Sequence, residues 1–280
     1  TPPRLPWDAV PHPGGPVSLA APATAPPPVE RATLRVPLAG GLAVTVHLAV
    51  YPRAAWRLRV VAFPRLVPLA AWCDRAGIAH AITGGFFLTP DGPALGDLCV
   101  AGVPRPSTPV DPRFAAVRAC LWADGDALAI GARDALPPSP TCDVLQAGPR
   151  LVAGGRPAVH DGDDPEGFSA GRHQFDSDIT DGRHPRAAIG VDGGRVILLA
   201  SDGRADDEAG LTLGELAALL AHLGAEDALN LDGGGSAALV TDGALRNRPR
   251  EADGRDIPGG RPIASALVLL PADQPESAAA

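Results

Sequence analysis

The stretch Ala228-Leu229-Asn230-Leu231-Asp232-Gly233-Gly234-Gly235-Ser236 constrains this chain more than any other. A short apolar run ends in a carboxylate, and three consecutive glycines precede a second apolar run, Ala237-Ala238-Leu239-Val240. The pattern reads as strand, tight turn, strand, with Asp232 at the strand end. Without side chains, the glycine N–H groups can approach a ligand closely, which would set Asp232 beside a small concave surface for phosphate or sugar oxygens. The same pattern also fits a plain hairpin with a solvated aspartate.

Similar punctuation recurs along the chain. Thr33–Leu38 and Leu42–Val50 alternate apolar and polar residues around Gly40-Gly41, a β-hairpin signal. Trp56–Phe63 also alternates, and Ile78–Ile82 reads as a buried strand running into a second glycine turn, Thr83-Gly84-Gly85. Hairpins are expected around Asp124-Gly125 and around Asp192-Gly193-Gly194, and Ile263–Leu270 reads as a last strand. Val144–Val152 has strand character interrupted by Gln146-Ala147-Gly148-Pro149, and Pro137-Pro138-Ser139-Pro140 is a break. Two helices are expected. Leu66–Ala76 has Pro68 near its first turn and Gly77 at its end. Thr212–Leu223 has Thr212 and Glu215 at capping-box spacing, an apolar stripe, and Gly224 as its stop. Many short strands and few helices predict an α+β fold, mainly antiparallel, in a single compact domain. The lack of regular β–α alternation argues against a doubly wound sheet.

The ends differ from the middle. Residues 1–30 are Pro/Ala-rich without periodicity and read as an extended segment; 272–280 is a similar tail, leaving 31–271 as the folded unit. Thr1 stands first and methionine is absent, which fits a processed or trimmed N-terminus. The net charge of −8 argues against non-specific nucleic-acid binding. No apolar run approaches the length of a membrane span. Cys73, Cys99, Cys120 and Cys142 lack C-x-x-C spacing. Their even number fits two disulfides in an exported protein, and equally fits four buried free thiols.

Several stretches, in order, resemble the phosphodiester glycosidase family. They are Thr83-Gly84-Gly85-Phe86-Phe87, Gly148-Pro149-Arg150-Leu151-Val152, Arg183-His184-Pro185-Arg186-Ala187-Ala188-Ile189-Gly190, the helix start Gly210-Leu211-Thr212-Leu213 with Glu215-Leu216-Ala217, Leu231-Asp232-Gly233-Gly234-Gly235-Ser236, and the closing Asn247-Arg248-Pro249 and Arg261-Pro262-Ile263. The resemblance spans about 80–270. Thr83 stands where the family usually has Asn, Ala187 where it has Thr, Ala237 where it has Ser, and Gly259-Gly260 where a Glu often precedes the final Arg-Pro.

The resemblance implies hydrolysis between a sugar's anomeric carbon and a phosphodiester oxygen, releasing free sugar and a phosphate monoester. An ordinary glycosidase needs a protonated carboxyl to help an alkoxide leave. A phosphate monoester has a second pKa of about 6 and needs far less help. The requirements become an anion clamp and a carboxylate facing the anomeric carbon. On this reading the catalytic candidates are Asp232 as that carboxylate, Asp202 as a second one at the end of its strand, Arg186 as a two-pronged phosphate clamp, and His184 as proton donor or phosphate ligand. Thr83, Gly84, Gly85, Gly233, Gly234, Gly235, Ser236 and Asn247 are the substrate-binding candidates. Each has a plainer reading: Asp202 as an Asp-Gly turn residue, Arg186 as a structural arginine, His184 as a strand cap, and the others as turn formers. Glu215 is assigned to helix capping.

No cofactor or metal site is predicted. The acidic run Asp161, Asp163, Asp164, Glu166 offers oxygen ligands suited to Ca²⁺, but it lacks an EF-hand's glycine and distal glutamate and reads better as solvated charge. The whole polar stretch Asp161–Asp181 is long enough to suggest a functional or mobile loop. The expected partner is a carbohydrate phosphodiester or glycopolymer, bacterial and exopolysaccharide-related, in a periplasmic, envelope or secreted setting. The alternatives are a non-catalytic glycan-binding or assembly protein on the same scaffold, for which the motif departures at Thr83, Ala187 and Ala237 speak, and another glycosidase or phosphodiesterase.

Overall fold

The computed structural model describes residues 28–88, 92–135, 142–169 and 179–273. Most of the 1–30 segment and of the 272–280 tail, the Pro137-Pro138-Ser139-Pro140 break, and residues 170–178 of the acidic stretch lie outside the described residues. The elements in chain order are β1 (Glu30–Pro37), β2 (Ala43–Pro52), β3 (Trp56–Pro68), α1 (Leu69–Ala76), β4 (Ala81–Thr83), β5 (Ala94–Leu95), β6 (Leu98–Val100), β7 (Val103–Pro104), β8 (Ser107–Thr108), β9 (Ala119–Asp124), β10 (Ala127–Ala132), β11 (Asp143–Gln146), β12 (Arg150–Ala153), β13 (Arg156–Pro157), β14 (Ala187–Val191), β15 (Arg195–Ser201), α2 (Leu213–His222), β16 (Asp227–Asn230), β17 (Leu239–Thr241), β18 (Ala244–Leu245) and β19 (Pro262–Pro271).

The strands form a seven-stranded sheet in the order β1-β2-β15-β14-β16-β12-β13, a second sheet β18-β17-β4-β19-β3, a third sheet β10-β9-β11-β6-β7, and the pair β5-β8. Among the described residues only β5 and β8 pair in parallel. The fold is thus mostly antiparallel sheet, with two α-helices as minor components.

The large sheet is covered on both faces, which explains why β14 and most of β15 read as continuous apolar runs rather than alternating ones. Ala187, Ile189, Val191, Val196, Leu198 and Ala200 face a core shared with the second and third sheets. Ala188, Ile197 and Leu199 face α2, whose Leu213, Leu216, Ala217 and Leu220 fill the other side. Gly190 lets the 220–225 segment come close: a Cβ there would lie 3.0 Å from Ala225 Cβ and 3.4 Å from Leu220 Cδ2. The expected capping box of α2 is present, with Thr212 Oγ1 accepting from Glu215 N–H (3.1 Å) and Glu215 Oε2 from Thr212 N–H (3.0 Å). Glu215 also pairs with Arg183 at 2.5 Å, tying the segment before β14 to the helix start.

One expectation changes, and two open alternatives are decided. The helix expected over Leu66–Ala76 begins at Leu69, because β3 continues to Pro68 and pairs there with Pro262 of β19. Pro68 is the N-cap rather than a first-turn residue, and Gly77 closes the helix in the left-handed region as expected. The runs around the three glycines are not the arms of a hairpin: β16 lies in the large sheet and β17 in the second, so the turn carries the chain from one sheet to the other. The four cysteines are free and buried. Cys99, Cys120 and Cys142 share a small apolar cluster with Val144 on the third sheet, and the disulfide argument for export loses its support.

Candidate active site

Asp232 lies where the ends of several strands meet between the two sheets. A pocket of about 300 Å³ opens there, lined by Phe86 after β4, His184 and Arg186 before β14, Arg204 after β15, Asn230 to Gly235, and Arg261 before β19, with Ile179 and Ala252 at its edge. The glycine turn is locked from below. Gly234 N–H donates to Pro185 O at 2.8 Å and Arg261 N–H to Gly235 O at 2.9 Å. A Cβ on Gly233 would sit 2.8 Å from the Pro185 carbonyl oxygen, so the chain can pass there only as glycine.

Asp232 remains partly open to the pocket, while the protein packed around its carboxylate withdraws it from water. That desolvation raises its pKa to about 6, against the opposing pull of the Ser236 hydroxyl, the Arg261 charge and the Gly233 N–H. Ser236 Oγ faces the carboxylate without closing a hydrogen bond of ordinary geometry.

Opposite stand two arginines that sequence reasoning did not single out. Arg204 Nη1 and Nη2 each lie 3.1 Å from where a Gly234 Cβ would be, and Arg261 Nη2 lies 3.2 Å from a Gly235 Cβ. The glycines therefore leave space that the guanidinium groups occupy. Arg261 pairs with Glu251, and Arg204 Nη1 donates to the Arg250 carbonyl at 3.0 Å. Burial and the Arg261 charge push the Arg204 pKa down against the pull of Glu251, so two neighbouring cations share one carboxylate. Arg204 also holds φ at 58°, a left-handed backbone unusual for a side-chain-bearing residue and a form of strain found at functional sites. Their positions were visible, in Ser201-Asp202-Gly203-Arg204 and Arg261-Pro262-Ile263, but nothing local distinguishes them from other arginines.

The structure sorts the other candidates. Arg186 reaches the pocket wall, yet its guanidinium donates to three backbone carbonyls: Leu211 (3.0 Å), Ile179 (2.9 Å) and Gly182 (3.3 Å). It acts chiefly as the anchor of the loop forming that wall. His184 lines the pocket as expected. Its Nε2 lies 2.9 Å from the Asp181 carbonyl, which can only accept, so Nε2 carries the proton and Nδ1 is the open acceptor. Burial, then Arg186 and Arg204, lower its pKa, so it stands neutral near pH 7 and suits accepting better than donating charge.

Asp202 does not line the pocket. Its Oδ1 accepts from Arg248 N–H at 2.6 Å and its Oδ2 meets His47 Nε2 at 3.3 Å. Asn247 is likewise spent, accepting from Leu239 N–H and donating to the Ala237 carbonyl just beyond the glycine turn. Thr83 is buried away from the pocket lining, and its hydroxyl has no hydrogen-bond partner. Gly84 and Gly85 do not offer their N–H groups to a ligand, because both donate to Ser265, to its carbonyl (2.9 Å) and its hydroxyl (3.1 Å). Gly84 is a glycine because Ser265 of β19 passes so close, and Gly85 because a Cβ there would lie 2.9 Å from the Gln146 carbonyl oxygen of β11.

The described part of the acidic run is structural. Glu166 is buried and accepts from Ala119 N–H (2.7 Å) and Arg150 N–H (2.6 Å). Asp161 accepts from Gly214 N–H, Asp163 from His160 N–H, and Asp164 from Phe168 and Ser169 N–H. Among the described residues no three His, Cys, Asp or Glu side chains group as metal ligands.

Asn230 is the third residue that sequence reasoning missed. It is buried in the pocket wall, with Nδ2 donating to Gly148 O at 2.9 Å and Oδ1 without a partner. A buried acceptor left unpaired costs about 1–3 kcal/mol. Its signal was a polar residue inside an otherwise apolar run.

A β-rich scaffold that sets one carboxylate against a cluster of guanidinium groups defines a site for an anionic ligand. The chain belongs to the phosphodiester glycosidase family, whose model matches residues 76–270. No curated protein sequence matches the chain. Its fold is similar to the catalytic domain of zebrafish N-acetylglucosamine-1-phosphodiester alpha-N-acetylglucosaminidase, auto-inhibited by its pro-peptide, at 21% identity and a TM-score of 0.66, covering 88% of this chain and 84% of that one. It is also similar to a hypothetical protein from Synechocystis at 18% identity, with a TM-score of 0.59 over 86% of this chain and 62% of that one. An exported-protein candidate from Burkholderia pseudomallei K96243 matches at 18% identity and a TM-score of 0.57, over 82% and 75% of the two chains.

Proposed function

We propose that this protein hydrolyses the C1–O bond of a glycosyl-1-phosphodiester, releasing free sugar and a phosphate monoester. The observation that carries the reading is Asp232 standing across the glycine turn from Arg204 and Arg261. The arginines hold the phosphodiester, and the sugar lies toward Asp232. As the C1–O bond breaks, its electron pair leaves on the phosphate oxygen, where the guanidinium charges stabilise it. The ionised Asp232 faces the positive charge developing on the anomeric carbon and ring oxygen. Water then bonds to C1 and gives up a proton to Asp232, whose pKa of about 6 suits a base near neutrality. Asp232 is the one carboxylate among the described lining residues. One carboxylate is enough for a phosphate leaving group, whereas an ordinary glycoside calls for two. The natural substrate on this reading is a phosphodiester-linked sugar of an envelope or secreted glycopolymer; the zebrafish relative, an N-acetylglucosamine-1-phosphodiester alpha-N-acetylglucosaminidase, supports the bond class.

The test is release of free sugar from a panel of sugar-1-phosphodiesters in ¹⁸O-water, with Asp232→Asn beside wild type. Label in the sugar and loss of release in the variant are expected. Label in the phosphate would mean P–O cleavage, and no release from any substrate would leave a glycan-binding protein on this scaffold.

A further inference from the structure

Asn230 ends β16 and Asp232 follows two residues on, about 7 Å further along if the chain is extended. Both belong to the pocket wall. The Asn230 backbone is fixed at both groups, with N–H donating to Pro149 O (3.1 Å) and carbonyl accepting from Gly148 N–H (3.0 Å). Its side-chain nitrogen is fixed as well, because the Gly148 carbonyl it meets can only accept. The remaining atom, Oδ1, is therefore a rigid acceptor of known identity, buried and without a partner. Buried polar atoms in native proteins are nearly always paired, so an orphan in a pocket wall points to a ligand group.

That group must be a donor. An acceptor or anion would meet both the Oδ1 lone pairs and the Asp232 charge, whereas the cationic side of the pocket lies at Arg204 and Arg261. We infer that Asn230 Oδ1 accepts a hydrogen bond from a donor on the sugar carbon next to the anomeric one, a hydroxyl or an acylamino N–H. The position follows from the spacing: with Asp232 at the anomeric carbon, the neighbouring carbon's substituent comes within reach of the residue two positions before it. Asn230 is then the residue that selects for a sugar bearing a donor at that carbon and rejects 2-deoxy and 2-fluoro analogues. The inference rests on the glycosyl phosphodiester reading of the pocket, but its test does not need turnover.

Binding of four sugar 1-phosphates, with hydroxyl, acetamido, hydrogen or fluorine at that carbon, is measured by calorimetry on wild type and on Asn230→Ala. Wild type is expected to bind at least one donor-bearing ligand tenfold or more tightly than the deoxy and fluoro ligands, and the hydroxyl and acetamido arms identify which donor is read. In Asn230→Ala that preference shrinks to within about threefold. Equal binding of all four by wild type, binding of none, or a preference that survives in Asn230→Ala would each overturn the assignment. The wild-type comparison stands even if the variant folds poorly. Donor-dependent binding without hydrolysis of any phosphodiester would overturn the hydrolase reading and leave the role of Asn230 intact.

Discussion

The backbone N–H of Asp232 donates to the carbonyl of Gly84 at 3.0 Å, joining the carboxylate's turn to the glycine turn at the end of β4. Gly84 in turn donates to Ser265 of β19, so Asp232 is held by a relay that starts in the second sheet although the strand leading to it, β16, belongs to the first. The two glycine-rich turns thus have different work. The one at 233–235 makes room for arginines, and the one at 84–85 makes room for two neighbouring strands, β19 at Gly84 and β11 at Gly85.

Gly84→Ala should therefore damage both stability and activity. An added Cβ would fall 2.7 Å from the Ser265 carbonyl carbon and 2.8 Å from its oxygen, and backbone cannot step aside as a flexible side-chain tip can. A loss of about 3 kcal/mol is expected in denaturant unfolding, with turnover reduced as Asp232 shifts. Gly193→Ala, where a Cβ meets nothing within 4 Å, is the control and should stay within about 0.5 kcal/mol.

Asp232→Asn should abolish turnover while stabilising the protein at pH 7. The folded pKa of about 6 exceeds the ordinary 3.8, so between these values the folded state holds a proton that the unfolded chain releases. Stability accordingly falls as pH rises through this window, and above about pH 6 the whole penalty is present. Asparagine removes it, for a gain on the order of 1–3 kcal/mol at pH 7 that disappears near pH 3.5. In wild type, kcat/KM should rise with pH on a limb near pH 6, since the ionised form is the active one. Thermal melts and a pH–rate profile check both signs.

Arg261→Ala should lower kcat/KM on the order of 10²-fold by weakening charge stabilisation at the leaving phosphate. It should also move the acid limb of the pH profile upward, because the Arg261 charge holds the Asp232 pKa below where burial alone would set it. Arg261→Lys keeps the charge and should restore the limb, but not the full rate, since an ammonium cannot make a planar two-pronged contact. An unmoved limb in Arg261→Ala would separate this arginine from Asp232.

What was legible in the sequence was local. The α2 capping box lies within four residues, and the hairpins at Gly40-Gly41, Asp124-Gly125 and Asp192-Gly193-Gly194 are set by their turns, so each is observed. Asp232, at a strand end beside glycines, was legible for the same reason. The sheet membership of β16 and β17 was not, because two runs around a tight turn look alike whether they pair or part. Helix α1 starts late because Val67 and Pro68 pair with Ile263 and Pro262 of a strand far along the chain, and long-range pairing outweighs local helical pattern there. The roles of Arg186, Arg204 and Arg261 depend on which carbonyls and carboxylates the distant loops bring to each guanidinium, which spacing along the chain does not encode. Glu166 reads as surface charge beside three aspartates, but it ends up buried on two backbone N–H groups.

Asp202 and Asp232 should respond to the same substitution in opposite ways. Asp202 is buried on Arg248 N–H and His47, away from the pocket lining, so its charge serves the placement of the 248 loop and of the turn that leads into Arg204. Asp202→Asn weakens a charge-assisted acceptor at one end and sets an amide against His47 at the other, for an expected stability loss of about 1–3 kcal/mol. Its kcat/KM should fall no more than about tenfold, since no step at the anomeric carbon runs through it. Asp232→Asn should do the reverse, raising the melting temperature at pH 7 and removing turnover. Measured together on the same phosphodiester, the two variants decide whether this site works with one carboxylate. If Asp202→Asn kept its stability and lost turnover as completely as Asp232→Asn, a second carboxylate would be acting, and the argument that a phosphate leaving group needs no acid would fail for this protein.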